Sequence, residues 1–253
     1  MHLRNVCLIG LVSACVTAIA PASAEEIFQG LPPPATPTPW IGELSLGYVQ
    51  TRGNSDTSTL NVKAGLEYRG EIWSNAVSAF LLRGSQDSTT TDERYSLANK
   101  LNYRLGRRSY LFGNAAYDND RFGGVAERYA LTTGYGRHVL VTANHALDVE
   151  IGVGANRTRA QDEPDFDFRS IYTVGGKYLW KITETSQFSQ TLRTEIASNN
   201  TYINPISELK LTIVGSLYTV IAYEFRYNTK VPDGTRHLDQ IATVNLGYGF
   251  GKK

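Results

Sequence analysis

Two histidines, His138 and His145, flank one predicted turn from Val139 to Asn144, and an imidazole is the side chain best suited to general-base work near neutral pH. With a serine and an asparagine beside them they would make a phospholipase-like lipid-cleaving site. No Gly-x-Ser-x-Gly elbow occurs, and no serine is placed next to either histidine, so the sequence favours turn or interfacial histidines over catalytic ones. The run Gly152-Val153-Gly154-Ala155-Asn156 has the look of a phosphate loop. It lacks the third glycine and a following helix, and reads better as small residues on a strand.

Carboxylates crowd several predicted loops: Asp87, Asp92 and Glu93; Asp118 and Asp120; Asp162, Glu163, Asp165 and Asp167; and Asp233. Hard divalent cations favour such oxygen clusters, and lipopolysaccharide carries them to a cell surface. The spacing fits no EF-hand loop, however, and solvated loop acids are the simpler reading. No catalytic residue, metal ligand or cofactor is therefore assigned.

The elements that position these residues begin with a leader. His2 and Arg4 precede an apolar run from Val6 to Ala20, and Ala22-Ser23-Ala24 follows as a small-x-small site ahead of Glu25 and Glu26. This predicts a signal peptide over 1–24 and Sec-type export. Val12-Ser13-Ala14-Cys15 offers a competing lipid-attachment site, but the apolar run continues past it. Both cysteines, Cys7 and Cys15, fall in the leader, so a mature chain cut after Ala24 has no thiol for a disulfide or a metal. Losing Arg4 leaves 24 basic against 24 acidic residues, which gives no argument for nucleic acid. Pro32, Pro33, Pro34, Pro37 and Pro39 make residues 25–39 an extended lead-in on the periplasmic side. No later segment approaches the ~20 apolar residues of a spanning helix.

From Trp40 to Phe250 the chain alternates apolar and polar residues. In the last segment Leu238, Ala242, Val244, Leu246, Tyr248 and Phe250 share one face, and Asp239, Thr243, Asn245, Gly247 and Gly249 the other. About twelve such segments are predicted, with ten or fourteen strands as alternatives, at 40–50, 57–69, 72–86, 93–105, 109–118, 127–138, 146–159, 167–180, 186–196, 206–213, 216–229 and 237–250. Polar loops are expected after the odd strands, including Asp87 to Asp92 and Ala197 to Pro205, and mostly shorter turns after the even ones. That asymmetry is the plan of an all-β, transmembrane, up-and-down antiparallel β-barrel over residues 40–253, with both ends at the short-turn, periplasmic rim.

The aromatics agree. Trp40, Tyr68, Tyr103, Tyr135, Tyr178, Trp180, Phe188, Tyr248 and Phe250 gather at the short-turn ends, and Tyr48, Tyr95, Tyr129, Phe168 and Tyr227 form a thinner outer set. Amphipathic rings collect at bilayer interfaces. Between them the outward face is aliphatic, as in Leu60, Val62, Ala64 and Leu66 or Leu147, Val149, Ile151 and Val153. The opposite parity predicts a lumen lined by Lys63, Glu67, Arg69, Lys100, Arg104, Asp148, Glu150, Arg193, Glu195, Glu224 and Arg226. Basic groups at mid-depth would cost ~2–4 kcal/mol facing lipid. Asp148 and Glu150 are expected on the wall opposite Lys100 and Arg104, so that an open lumen would carry a transverse field and a plugged one would be cross-linked by ion pairs.

The first hairpin, Leu46 to Thr57, together with Arg226-Tyr227-Asn228, Val231-Pro232-Asp233-Gly234, Asp239 and Gly247-Tyr248-Gly249-Phe250, resembles the salt-induced outer-membrane protein family, also catalogued as domain-of-unknown-function family 481. The resemblance spans the chain after the proline spacer. It implies an outer-membrane β-barrel and a link by name to salt stress, and brings no catalytic residues. Gly251-Lys252-Lys253 extend past the terminal Phe250 on which such barrels usually end, where the barrel assembly machinery engages the last strand.

The expectation is thus a non-enzymatic outer-membrane β-barrel of a Gram-negative bacterium, embedded in lipid and lipopolysaccharide. It would be a narrow, porin-like pore for small polar solutes or a structural barrel supporting the envelope under osmotic stress. A lipid-acting barrel enzyme based on His138 or His145 is one alternative. A soluble periplasmic ligand-binding barrel is another, and requires the polar faces to point outward.

Overall fold

The computed structural model describes residues 39–51, 56–122, 125–161, 163–231 and 236–251. The leader with Cys7 and Cys15, the spacer up to residue 38, Asp162 and Asp233 lie outside the described residues. Twelve strands follow one another: β1 (Trp40–Thr51), β2 (Thr57–Arg69), β3 (Trp73–Gln86), β4 (Thr89–Arg104), β5 (Ser109–Asp120), β6 (Val125–Val141), β7 (His145–Ala160), β8 (Asp167–Lys181), β9 (Ser186–Ile196), β10 (Thr201–Val214), β11 (Leu217–Asn228) and β12 (Leu238–Phe250). Each pairs antiparallel with its neighbours in sequence, and β1 closes on β12 from Gly42 opposite Phe250 to Leu46 opposite Leu246.

Alternation puts the polar residues inside. Among the described residues, the buried ones other than glycine are seven apolar and ten polar or charged, and by strand parity all of them point into the barrel. The outer wall is the reverse: Leu131, Ile151 and Val244 are 67%, 58% and 63% exposed. A continuous exposed belt of this kind is stable against hydrocarbon and not against water. Aromatic rings bound it. Near the short turns Trp40 packs on Tyr68 at 5.1 Å and Trp73 on Tyr103 at 4.6 Å, and toward the other rim Tyr117 packs on Tyr129 at 4.8 Å. On β4 the rings of Tyr103 and Tyr95 stand eight residues apart, about 27 Å along the strand. At a tilt of about 40° this is roughly 21 Å of membrane depth. The fold is a transmembrane β-barrel of twelve strands, and the polar faces turn inward, opposite to what the soluble-barrel alternative requires.

Strand ends depart from expectation in three places. Asp87 to Asp92 is not a loop: Asp87 and Ser88, both at positive φ (49° and 64°), form a two-residue hairpin, and Thr89 and Thr90 already pair with Gln86 and Ser85. The β-branched threonines extend the ladder, and two left-handed residues match its twist. Likewise β10 starts at Thr201, with Pro205 inside it, so the preceding connection shortens to Ala197–Asn200. Pro205 has no amide hydrogen to give β11, and the Asn204 side chain donates to the Phe225 carbonyl at 2.7 Å in its place. Finally, β6 runs on to Val141 through a bulge between His138 and Leu140, which confines the turn to Thr142–Asn144. The two rims therefore differ less in loop length than the sequence suggests.

Inside the short-turn half, rings lie flat on glycines of neighbouring strands: Tyr110 over Gly136, Phe112 over Gly134 and Gly152, and Tyr218 over Gly247. The Gly152–Gly154 run is part of this inner wall. A Cβ on Gly134 would stand 2.1 Å from the Ile151 carbonyl oxygen and 2.6 Å from the Gly152 Cα, so strands β6 and β7 would have to part. Gly134→Ala is expected to cost about 1–3 kcal/mol. Gly113→Ala, where an added methyl meets nothing within 4 Å, should stay within about 0.5 kcal/mol. Urea midpoints of the detergent-solubilised barrel, read from its heat-dependent gel shift, compare the two; equal midpoints would contradict the inner packing.

Candidate functional site

The lumen holds the chain's charged residues in contacts that join strands far apart in the barrel. Lys63 on β2 donates to Glu208 on β10 at 3.1 Å, and Lys210 on β10 donates to Glu43 on β1 at 2.7 Å. Lys100 on β4 donates to Glu150 on β7, which also accepts the Tyr110 hydroxyl at 2.6 Å. Arg128 on β6 reaches Glu195 on β9 and, at 3.0 Å, Asp118 on β5. None of the four long pairs connects strands that are neighbours in the sheet. Each is a chord through the interior.

The chords differ in depth of burial. Glu195 is 2% exposed and Arg128 13%, with Tyr202 placing its ring 5.5 Å from the Arg128 guanidinium carbon. Arg193 on the same strand flanks Glu195, and Ile171 on the neighbouring β8 is likewise fully buried. This is the most deeply buried ion pair of the lumen. Lys63, Glu208, Lys100 and Glu150 keep roughly a fifth to a third of their surface in contact with water. Short-range pairing of half-hydrated groups is worth far less than that of a desolvated pair.

The remaining candidate residues form shorter contacts. Glu67 accepts twice from Arg69, at 2.7 and 2.9 Å, two residues on along β2. Glu224 on β11 pairs with Arg226 and accepts from Asn204 at 3.0 Å. Asp148 meets His138 Nδ1 at 2.6 Å. The Arg104 side chain makes no hydrogen bond or ion pair among the described residues. One expectation changes: Asp148 and Glu150 are not on the wall opposite Lys100 and Arg104. β7 stands three strands from β4 in a ring of twelve, a quarter of the circuit, which is close enough for Lys100 and Glu150 to bond. Bonded charges cancel, and no free transverse field arises from them.

Several partners went unforeseen. Arg128, Glu208, Lys210, Glu43 and Arg94 share the inward parity of their strands and lie inside the predicted segments, so carrying the alternation through each whole segment would have found them. Asp118 and Asp120, read as loop acids, sit on β5 facing Arg128 and Arg94. The histidines separate: His138 points inward under Tyr110, at 5.0 Å, whereas His145 points outward, bonded to the Tyr178 hydroxyl at 2.8 Å and stacked on Trp180. Two groups on opposite faces of one wall cannot share a catalytic site. Among the described residues no three His, Cys, Asp or Glu side chains converge as a metal site would require.

Toward the short-turn rim a cavity of about 570 Å³ opens between Lys100, Arg104, Asp148, Glu150, Lys177 and Arg193. A closed ladder, an apolar belt between two aromatic girdles and a polar, charge-paired interior together define a β-barrel membrane protein of outer-membrane type. The chain belongs to the family described as "Protein of unknown function, DUF481", which matches residues 44–250. It is 26% identical over 250 residues to the uncharacterized protein YdiY of Escherichia coli strain K12, covering 96% of each chain. Among solved structures it is similar to the COG4313 outer membrane channel from Pseudomonas putida F1, with 11% identity, a TM-score of 0.48, and 83% and 94% of the two chains covered. It is also similar to the translocator domain of the autotransporter NalP from Neisseria meningitidis, with 12% identity, a TM-score of 0.47, and coverage of 83% and 86%.

Proposed function

We propose that this protein is a non-enzymatic outer-membrane barrel forming a narrow pore for small polar solutes, held shut at rest by the ion pairs that cross its lumen. The observation that carries this reading is the set of four chords between non-neighbouring strands in a polar interior. A barrel serving only as an envelope strut could fill its lumen with apolar side chains at lower desolvation cost. Partly hydrated pairs, by contrast, exchange partners with water and are screened by salt within a Debye length of about 8 Å at physiological strength. A role under salt or osmotic stress follows from that sensitivity. Tyr248 and Phe250 present outward rings on the last strand, which suits recognition by the barrel assembly machinery and seating in lipid and lipopolysaccharide.

Purified protein in planar bilayers should give small, infrequent conductance steps whose open fraction rises with salt concentration. Complete silence at every salt concentration would replace the pore with a closed structural barrel. Sidedness is tested separately. Glu163 lies between β7 and β8, on the rim away from the chain ends, and Arg108 in the β4–β5 turn at the other rim. A Glu163→Cys variant should react with a membrane-impermeant thiol reagent on intact cells, and an Arg108→Cys variant should not. The reverse pattern would invert the barrel.

A further inference from the structure

The cavity at the short-turn end is chemically unbalanced. Its lining carries five Lys or Arg side chains against three carboxylates. All three carboxylates are already engaged: Glu67 by Arg69, Asp148 by His138, and Glu150 by both Lys100 and Tyr110. Two of the cations are not. The side chains of Arg104 on β4 and Lys177 on β8 make no hydrogen bond or ion pair among the described residues, although Lys177 stands directly across the sheet from Asp148. Asp148 meets His138 through one oxygen, and the Lys177 ammonium pairs with neither and is left facing the cavity.

We infer that this cavity is a binding site for a small polar anion, a solute of roughly monosaccharide to disaccharide size bearing a carboxylate or phosphate group. Guanidinium and ammonium groups with no internal partner, inside walls of low dielectric, attract an anion more strongly than they would on an open surface. The planar fork of Arg104 can accept carboxylate or phosphate in two parallel hydrogen bonds, and Lys177 adds a point charge. Neutral donors and acceptors, Asn102, Asn114, Thr132 and Thr191, line the same space and suit hydroxyl groups. The volume, about 570 Å³, is within the range of small-molecule sites.

This inference deepens the pore reading by naming the class of solute, and it is tested without measuring flux. The mature protein in detergent is titrated by calorimetry with glucuronate, with inorganic phosphate and with glucose, at low salt. Glucuronate and phosphate should bind and glucose should not. Binding should weaken at least tenfold in R104Q/K177Q, and should be unaltered in R121Q, whose arginine pairs with Glu93 at the opposite rim. The heat-dependent gel shift checks that each variant remains a closed barrel. Binding of glucose as tight as glucuronate, absence of anion binding, or an unchanged affinity in a folded R104Q/K177Q overturns the site. Anion binding by a protein that never conducts would remove the pore and keep the site; conductance without anion binding would do the opposite.

Discussion

Arg128→Met will cost the barrel about 3–5 kcal/mol, the largest loss expected of any single substitution in the lumen. The reason lies with the partner left behind. Glu195 is 2% exposed, and Arg128 and Arg193 are the charges that compensate it. Asp118 loses its one ion-pair partner among the described residues at the same time. Methionine fills part of the vacated space, so the deficit reports the stranded carboxylates and not a cavity. The double variant Arg128→Met with Glu195→Gln should recover most of the loss, since an amide is neutral and can still bond Arg193. Urea titration in detergent, followed by gel shift and by tryptophan fluorescence, measures both. A loss under 1 kcal/mol for the single variant, or no recovery in the double, would mean that the pair is hydrated and the section around it open.

Opening the lumen is the second large effect. Replacing Lys63, Glu208, Lys100 and Glu150 together by serine removes two chords while keeping the interior polar and the net charge unchanged. Unit conductance should rise several-fold, and its dependence on salt should flatten, because the screened contacts no longer exist. Stability should fall far less than in Arg128→Met, as these four groups already keep a fifth to a third of their surface in water. A folded quadruple variant with the parent's conductance would place the barrier elsewhere, at the Arg128–Glu195 section. A variant that fails to close as a barrel would show that the chords hold the wall together, which contradicts the weak worth assigned to them here.

Burial sets these two predictions apart, and burial was not legible in the chain. Alternation is a local property: on a strand, residue parity alone decides which side chains meet lipid, so the inward placement of Lys63, Lys100 and Glu150 and the outward placement of Leu131, Ile151 and Tyr103 could be read residue by residue. The number of strands followed from the same periodicity, and the aromatic girdles from where each apolar series ends. Strand ends were less legible, because Thr89, Thr90 and the Asn204-Pro205 pair pass for loop until a neighbouring strand offers them hydrogen-bond partners.

Partner choice across the lumen was beyond the sequence altogether. Lys63 and Glu208 stand 145 positions apart. Whether such residues touch depends on closure of β1 on β12, on the stagger that closure imposes, and on how far each side chain projects into the shared interior. The same holds for the free cations of the cavity. Arg104 and Lys177 are ordinary inward charges in the chain, and only the assembled lumen shows that the carboxylates within reach are already taken. Parity, a property of the backbone pleat, thus fixed what faces inward, while the closed barrel, through its register and circumference, decided which of those charges cancel and which remain to meet a solute.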